Sequence, residues 1–154
     1  MTKVAAGLLM CRFEDDLLEF FLVHPGGPYF RKKDAGWWTI PKGVPEPHED
    51  LLVTAQREFF EETGIRASAP YLDIGNIRQK GGKIVHAWAF SGNWKEGAQL
   101  ASNTSSIEWP PRSGNTITFP EVDQARWFNY QEATNMIVQE QLPFLDRARI
   151  HFGS

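Results

Sequence analysis

The sequence predicts an α+β domain. Three observations carry that reading: pairs of strand-rich segments at 4–23 and 71–91 lie either side of one helix-patterned segment near 49–63, and a second helix-patterned segment follows a last short strand. A length of 154 residues, 42% of them hydrophobic, suits a single domain over residues 1–154 with one core. Six Trp and eleven Phe supply large apolar bodies for it.

Residues 4–13 and 17–23 are apolar and rich in strand formers, and Glu14-Asp15-Asp16 between them reads as a hairpin turn, with the first strand central. His24-Pro25-Gly26-Gly27-Pro28 breaks regular structure with two prolines and two glycines in five positions. Residues 37–40 form a short strand-like run between Gly36 and Pro41. Pro45 and Pro47 keep the chain extended to about Glu49, where a helix starts and runs to about Thr63. Gly64 closes it in the left-handed conformation. Residues 71–78 and 84–91 predict a second hairpin around Gln79-Lys80-Gly81-Gly82. Residues 93–120, with three prolines, Gly, Ser and Asn around an isolated Trp109, predict a long irregular excursion. Residues 125–128 return as a strand, and 131–141 predict a helix that Pro143 ends before a tail from Phe144.

Sixteen Lys and Arg against nineteen Asp and Glu give a net charge of −3, so no global field favours a nucleic-acid backbone and no nucleic-acid partner is expected. An anionic ligand needs local help from clusters such as Arg31, Lys32 and Lys33, or Arg78, Lys80 and Lys83, which otherwise are solvated loops. The single cysteine, Cys11, can form neither an intramolecular disulfide nor a multi-thiolate site, which fits a reducing compartment and a cytoplasmic location. Residues 4–10 are too short an apolar run to span a bilayer and lead into no cleavage pattern, so neither membrane insertion nor export is expected. A homo-oligomer stays open.

The helix at 49–63 carries the chemistry. Glu58, Glu61 and Glu62 are related by i, i+3 and i+4, which puts three carboxylates on one face. Such a cluster repels itself, and a divalent cation compensates it. Hard oxygen donors without thiolates or paired histidines point to Mg²⁺, with Mn²⁺ as the alternative. The competing reading is a solvated acidic face neutralised in part by Arg57, four residues before Glu61. Leu52, Ala55 and Phe59 form a neighbouring stripe that can anchor the helix to a sheet.

The wider pattern decides between them. Gly43, Glu49, Arg57, Glu58, Phe59, Glu61, Glu62, Gly64 and Ile65 fill every defined position of G-x5-E-x7-R-E-φ-x-E-E-x-G-φ, with φ apolar. Average composition gives such a match a chance on the order of 10⁻⁷ in a chain of this size. The chain thus resembles the Nudix hydrolase superfamily through an intact Nudix box. The resemblance implies an α/β/α sandwich, with a mixed β-sheet between the box helix and the C-terminal helix. It also implies metal-dependent hydrolysis of a nucleoside diphosphate linked to another group. By the same resemblance Glu58, Glu61 and Glu62 are metal ligands, joined by a backbone carbonyl at Lys42-Gly43, and Arg57 pairs with Glu49 to hold the loop to the helix.

A carboxylate outside the box is also implied, beside the attacking water. Glu121, six positions before Trp127, is similar to a glutamate of the dinucleoside polyphosphate hydrolases, and Asp123 competes with it for the role. Trp38-Thr39-Ile40-Pro41-Lys42-Gly43 resembles the W-x-x-P-K-G run of that group, in which the lysine meets phosphate. Trp37 stands where a histidine is common there, and the markers of the coenzyme A, NADH and ADP-ribose hydrolases are absent. The substrate is left among a dinucleoside polyphosphate, a nucleoside-diphosphate sugar and a nucleoside triphosphate. Trp37, Trp88 and Trp109 offer stacking faces, and Lys83 and His86 are further candidates for phosphate contact, each with core packing or solvation as the alternative. The alternative function is a catalytically silent Nudix-fold module that binds or senses a nucleotide, and the intact glutamates weigh against it. Cleavage of an RNA 5′ cap lacks the expected basic surface.

Overall fold

Among residues 3–153, which the computed structural model describes, the chain forms β1 (Val4–Glu14), β2 (Leu17–Pro25), β3 (Lys42–Gly43), α1 (Leu51–Thr63), β4 (Leu72–Arg78), β5 (Ile84–Ser91), β6 (Thr104–Glu108), β7 (Thr116–Pro120), β8 (Val122–Asn129), α2 (Tyr130–Met136) and α3 (Leu142–Phe152). Single 3₁₀ turns lie at Lys80–Gly82 and Gln139–Gln141.

β1 is apolar on both faces because it is central. Ala5, Leu9 and Cys11 join one hydrophobic cluster, and Ala6, Leu8 and Met10 join another. The turn to β2 places Asp15 and Asp16 at φ 51° and 65°, the left-handed pair that matches the twist of two antiparallel strands. The main sheet runs β4-β5-β1-β2-β8, with β3 pairing onto the start of β1. β1 and β5 are parallel from Val4↔Ile84 to Cys11↔Ser91, and the other pairings are antiparallel, so the sheet is mixed.

Helix α1 buries Ala55 and Phe59 against one face, where Phe59 meets the rings of Phe21 and Phe90. Helices α2 and α3 cover the other face through Ala133, Phe144, Leu145 and Ala148. The result is the expected α/β/α sandwich. Gly64, at φ 79°, ends α1 and donates its N–H to the Phe60 carbonyl oxygen. Among the described residues no helix is long and apolar enough to cross a membrane.

Three expectations are corrected. Residues 93–120 are not wholly irregular, because β6 and β7 pair in register from Thr104↔Pro120 to Glu108↔Thr116 as a separate two-stranded sheet. One side of that hairpin carries Ile107, Trp109, Ile117 and Phe119, half-buried, and the Trp109 ring meets Tyr29 at 5.0 Å. Nor does Pro143 precede a tail. It sits in the first turn of α3, where a missing N–H costs nothing, and α3 continues to Phe152. The helix expected over 131–141 is cut short at Met136, and residues 139–141 form only a 3₁₀ turn.

Candidate active site at the box helix

The site is organised by Arg57. Its Nε and Nη2 donate to the two oxygens of Glu49, each at 2.8 Å, a bidentate fork that closes the loop before α1 onto the helix. Nη2 also reaches the Val44 carbonyl oxygen at 3.2 Å. Glu49 further accepts from the Thr54 hydroxyl and the Glu46 N–H, and with Arg57 as the main cause its carboxyl is held down to about 2. On the other side of the guanidinium, Nη1 is 3.0 Å from an oxygen of Glu58 and 3.0 Å from one of Glu61.

Glu58 lies against Gly43, so close that a Cβ built on Gly43 would fall onto its carboxylate. Only glycine leaves the Glu58 carboxylate in that place. Burial raises the Glu58 carboxyl above its ordinary range, and Glu61 adds to the effect. Glu62, one turn on, is 9% exposed. Burial pushes its carboxyl up to about 8, against the pull of the Lys42 ammonium and with reinforcement from Glu58 and Glu121. The nearby Lys42 backbone also pulls it down slightly. Burial and then Lys83 lower the Lys42 ammonium. Lys42, Glu62 and Glu121 line one cavity of about 150 Å³, walled by Val23, Pro25, Thr39, Ile40 and Val122.

The donor set suits a hard divalent cation: three glutamates on one face, all oxygen, with a buried carboxylate whose charge the protein alone leaves poorly compensated. As placed, no three His, Cys, Asp or Glu side chains among the described residues stand together as a metal site, since Glu58 and Glu61 are turned onto Arg57.

A family model for the NUDIX domain matches residues 1–148. The chain belongs to the Nudix family. It is 25% identical to an RNA pyrophosphohydrolase of Nitrobacter winogradskyi over 129 residues, 79% of this chain and 74% of that one. It is 44% identical to the human protein "Nucleoside diphosphate-linked moiety X motif 6" over 50 residues, 32% of this chain and only 15% of the human protein's length. Among solved structures, a C. elegans Ap4A hydrolase binary complex superposes with a TM-score of 0.70 at 22% identity, covering 97% of this chain and 98% of the other. The NUDIX domain of Shewanella oneidensis NrtR complexed with ADP ribose superposes with a TM-score of 0.66 at 16% identity, covering 99% and 89%. At these identities the two superpositions establish the Nudix fold.

Within this Nudix frame the structure brings together Glu58, Glu61, Glu62, Arg57, Lys42 and Glu121, and places Lys83 close enough to act on Lys42. Glu121 does not hang on a loose loop. Its N–H donates to the Asn103 carbonyl oxygen at 2.8 Å, its own carbonyl accepts from Gly26 at 2.9 Å, and Ser105 Oγ donates to its carboxylate at 2.8 Å. His86 and Trp88 stack on each other at 4.4 Å, with His86 Nε2 at 2.8 Å from Asp73 and Trp88 packed on the cluster under α1. Trp37 stands outside the Lys42 cavity. It is 41% exposed, flanked by Phe30 and Lys33, and lines a different hollow with Gln79 and Lys80. Two residues escaped the sequence reading. Buried Gln141 donates to Thr39 Oγ1 and Gln79 Oε1 and accepts from the Ile40 N–H, bracing the approach to the box. His24 binds Asp123, the rival to Glu121, at 2.8 Å.

Proposed function

We propose that the chain is a metal-dependent hydrolase that cleaves a diphosphate linkage in a nucleoside diphosphate joined to another group, within the set of dinucleoside polyphosphates, nucleoside-diphosphate sugars and nucleoside triphosphates. The observation that carries the reading is the shared cavity, where a phosphate-binding cation (Lys42), a buried box carboxylate (Glu62) and a carboxylate from outside the box (Glu121) meet. The kinship with an RNA pyrophosphohydrolase and the Trp38–Gly43 run support the same chemistry.

Glu58, Glu61 and Glu62, with the Lys42 carbonyl, are the residues to hold Mg²⁺ or Mn²⁺. Such an ion neutralises diphosphate charge and acidifies a bound water. Arg57 keeps its fork on Glu49 while releasing Glu58 and Glu61 from Nη1, so the helix stays anchored as the ligands turn. Lys42 and Lys83 take the diphosphate oxygens. Glu121 orients the attacking water and accepts its proton. Trp37, in its own hollow outside the Lys42 cavity, offers a face for a base or sugar, and the stacked pair His86 and Trp88 a further contact.

Product chromatography on the purified chain with Mg²⁺, over a panel of those three substrate types, tests the proposal. Nucleotide products are expected with metal, and not with chelator. Glu121→Gln is expected to lower turnover by roughly 10² to 10⁴, the range for removing a general base. Tight nucleotide binding with no product from any substrate overturns the hydrolase reading and favours the silent binding module.

A further inference from the structure

We infer that His24 is a positioning residue that fixes Glu121 over the box helix; the inference rests on the reading of Glu121 as the base. His24 ends the regular part of β2 and is 3% exposed. Its Nδ1 lies 2.8 Å from Asp123 Oδ1, its Nε2 lies 2.6 Å from the Lys33 carbonyl oxygen, and its ring stands edge-on to Trp38 at 5.3 Å. A carbonyl oxygen only accepts, so Nε2 carries a hydrogen. The approach of Nδ1 to a carboxylate requires a second hydrogen between them. The imidazole is therefore used at both ends, as a two-sided tie between the loop at Lys33 and the start of β8.

The place it grips is the irregular one. Along the β2–β8 pair His24 faces Gln124 and Pro25 faces Val122, so Asp123 is the extra residue of a bulge. A bulge re-aims the residues beside it, and without a side-chain tie the extra residue has no partner across the sheet to hold it. Glu121 lies two residues before the gripped carboxylate, with its carbonyl bonded to Gly26, two residues after His24. The two links form a short closed frame, and Glu121 is one of its corners. Loss of the Asp123 tie lets the bulge relax and moves Glu121 relative to Glu62. Misplacement of a reacting group by about 1 Å lowers turnover by up to roughly a hundredfold.

The two halves of the tie can be separated. An asparagine amide nitrogen falls near the Nδ1 position and keeps the Asp123 link, whereas a glutamine amide nitrogen falls near Nε2 and keeps only the Lys33 link. Steady-state kinetics of His24→Asn and His24→Gln, alone and combined with Glu121→Gln, is the test, with hydrogen exchange of the Glu121 amide measured in parallel. His24→Gln is expected to lower kcat by roughly tenfold to a hundredfold with KM within about threefold, and to deprotect the Glu121 amide, while His24→Asn keeps most of both. On the Glu121→Gln background the His24→Gln loss should vanish. The inference is overturned if His24→Asn is the damaged variant and His24→Gln the intact one, or if the loss persists without Glu121. Should Glu121→Gln alone keep full turnover, the base reading falls, and unchanged amide exchange in His24→Gln would separately overturn the positioning role. If His24→Gln does not fold, Asp123→Ala cuts the same tie from its more exposed end. Its kcat loss should also vanish beside Glu121→Gln, and persistence would make Asp123 itself the base and overturn the inference.

Discussion

Glu62→Gln should make the metal-free protein more stable while abolishing its metal response. Burial pushes the Glu62 carboxyl up to about 8 from an ordinary 4.5, so the folded state keeps a proton there that the unfolded chain releases. From 4.5 up to pH 7, at about 1.4 kcal/mol per pH unit, that difference costs about 3 kcal/mol of stability. Glutamine has no charge to bury, but its amide N–H groups enter a buried site and, where unpartnered, cost about 1–2 kcal/mol. A net gain of about 1–2 kcal/mol remains, or a Tm rise of roughly 2–8 °C for a domain of this size. Because the folded group holds its proton above the unfolded pKa, wild-type stability should be highest below pH 4.5 with respect to this group and fall as pH rises to about 8. The variant should lack that slope. Thermal unfolding in chelator at pH 5 and pH 8, repeated with Mg²⁺, reads both effects: Mg²⁺ should raise the wild-type Tm at pH 8 and leave the variant unmoved. A variant less stable than wild type at pH 8 in chelator, or one that Mg²⁺ stabilises as strongly, would refute the reasoning.

Gly43→Ala should fill the space the Glu58 carboxylate occupies, keep it from the ligand position, and lower metal affinity by roughly tenfold to a hundredfold with little change in Tm; calorimetric titration with Mn²⁺ checks it, and unchanged affinity would remove Glu58 from the ligand set. Lys42→Ala should raise KM by roughly tenfold to a hundredfold, the cost of one charge-assisted bond to phosphate. A fall in Tm with unaltered kinetics would make Lys42 structural.

What the sequence made legible was local. The apolar faces of β1, the strand at Ile84–Ser91, and α1 with its glycine stop each follow from periodicity and punctuation within a dozen residues. The common face of the three glutamates was legible for the same reason, since a helix fixes neighbours by spacing, whereas the Glu49–Arg57 fork, with Glu49 outside the helix, followed from the resemblance to the Nudix box. The β6–β7 hairpin was hidden by composition. Its alternation is present in Ser105, Ile107 and Trp109 and again in Ile117 and Phe119, but the prolines and glycines at the tip read as a breaker of the whole segment. Pro143 misled because a proline that ends one helix and a proline that starts another look alike in sequence. The His24–Asp123 tie spans 99 residues and exists only because a bulge turns Asp123 toward β2, so no local pattern announces it.

That hidden hairpin segment is also what joins the two halves of the site. The last turn of α1 leaves carbonyl oxygens without helical partners, and the chain after β5 supplies donors for them: Ala101 to Thr63 at 3.1 Å, and Asn103 to Glu61 at 2.8 Å. Asn103 then uses its own carbonyl oxygen to accept the Glu121 N–H at 2.8 Å. One residue thus connects the backbone of a box glutamate to the backbone of the carboxylate outside the box. That link ties Glu121 to the last turn of the helix whose Glu58 and Glu62 carboxylates it repels. The excursion of residues 93–120 is therefore a strut between the box helix and Glu121, and His24 grips the chain just beyond it, at Asp123 in β8. A shortened hairpin that kept residues 101–105 and 119–123 would preserve both ties, whereas a change at the Asn103 backbone would loosen Glu121 without touching any titratable group.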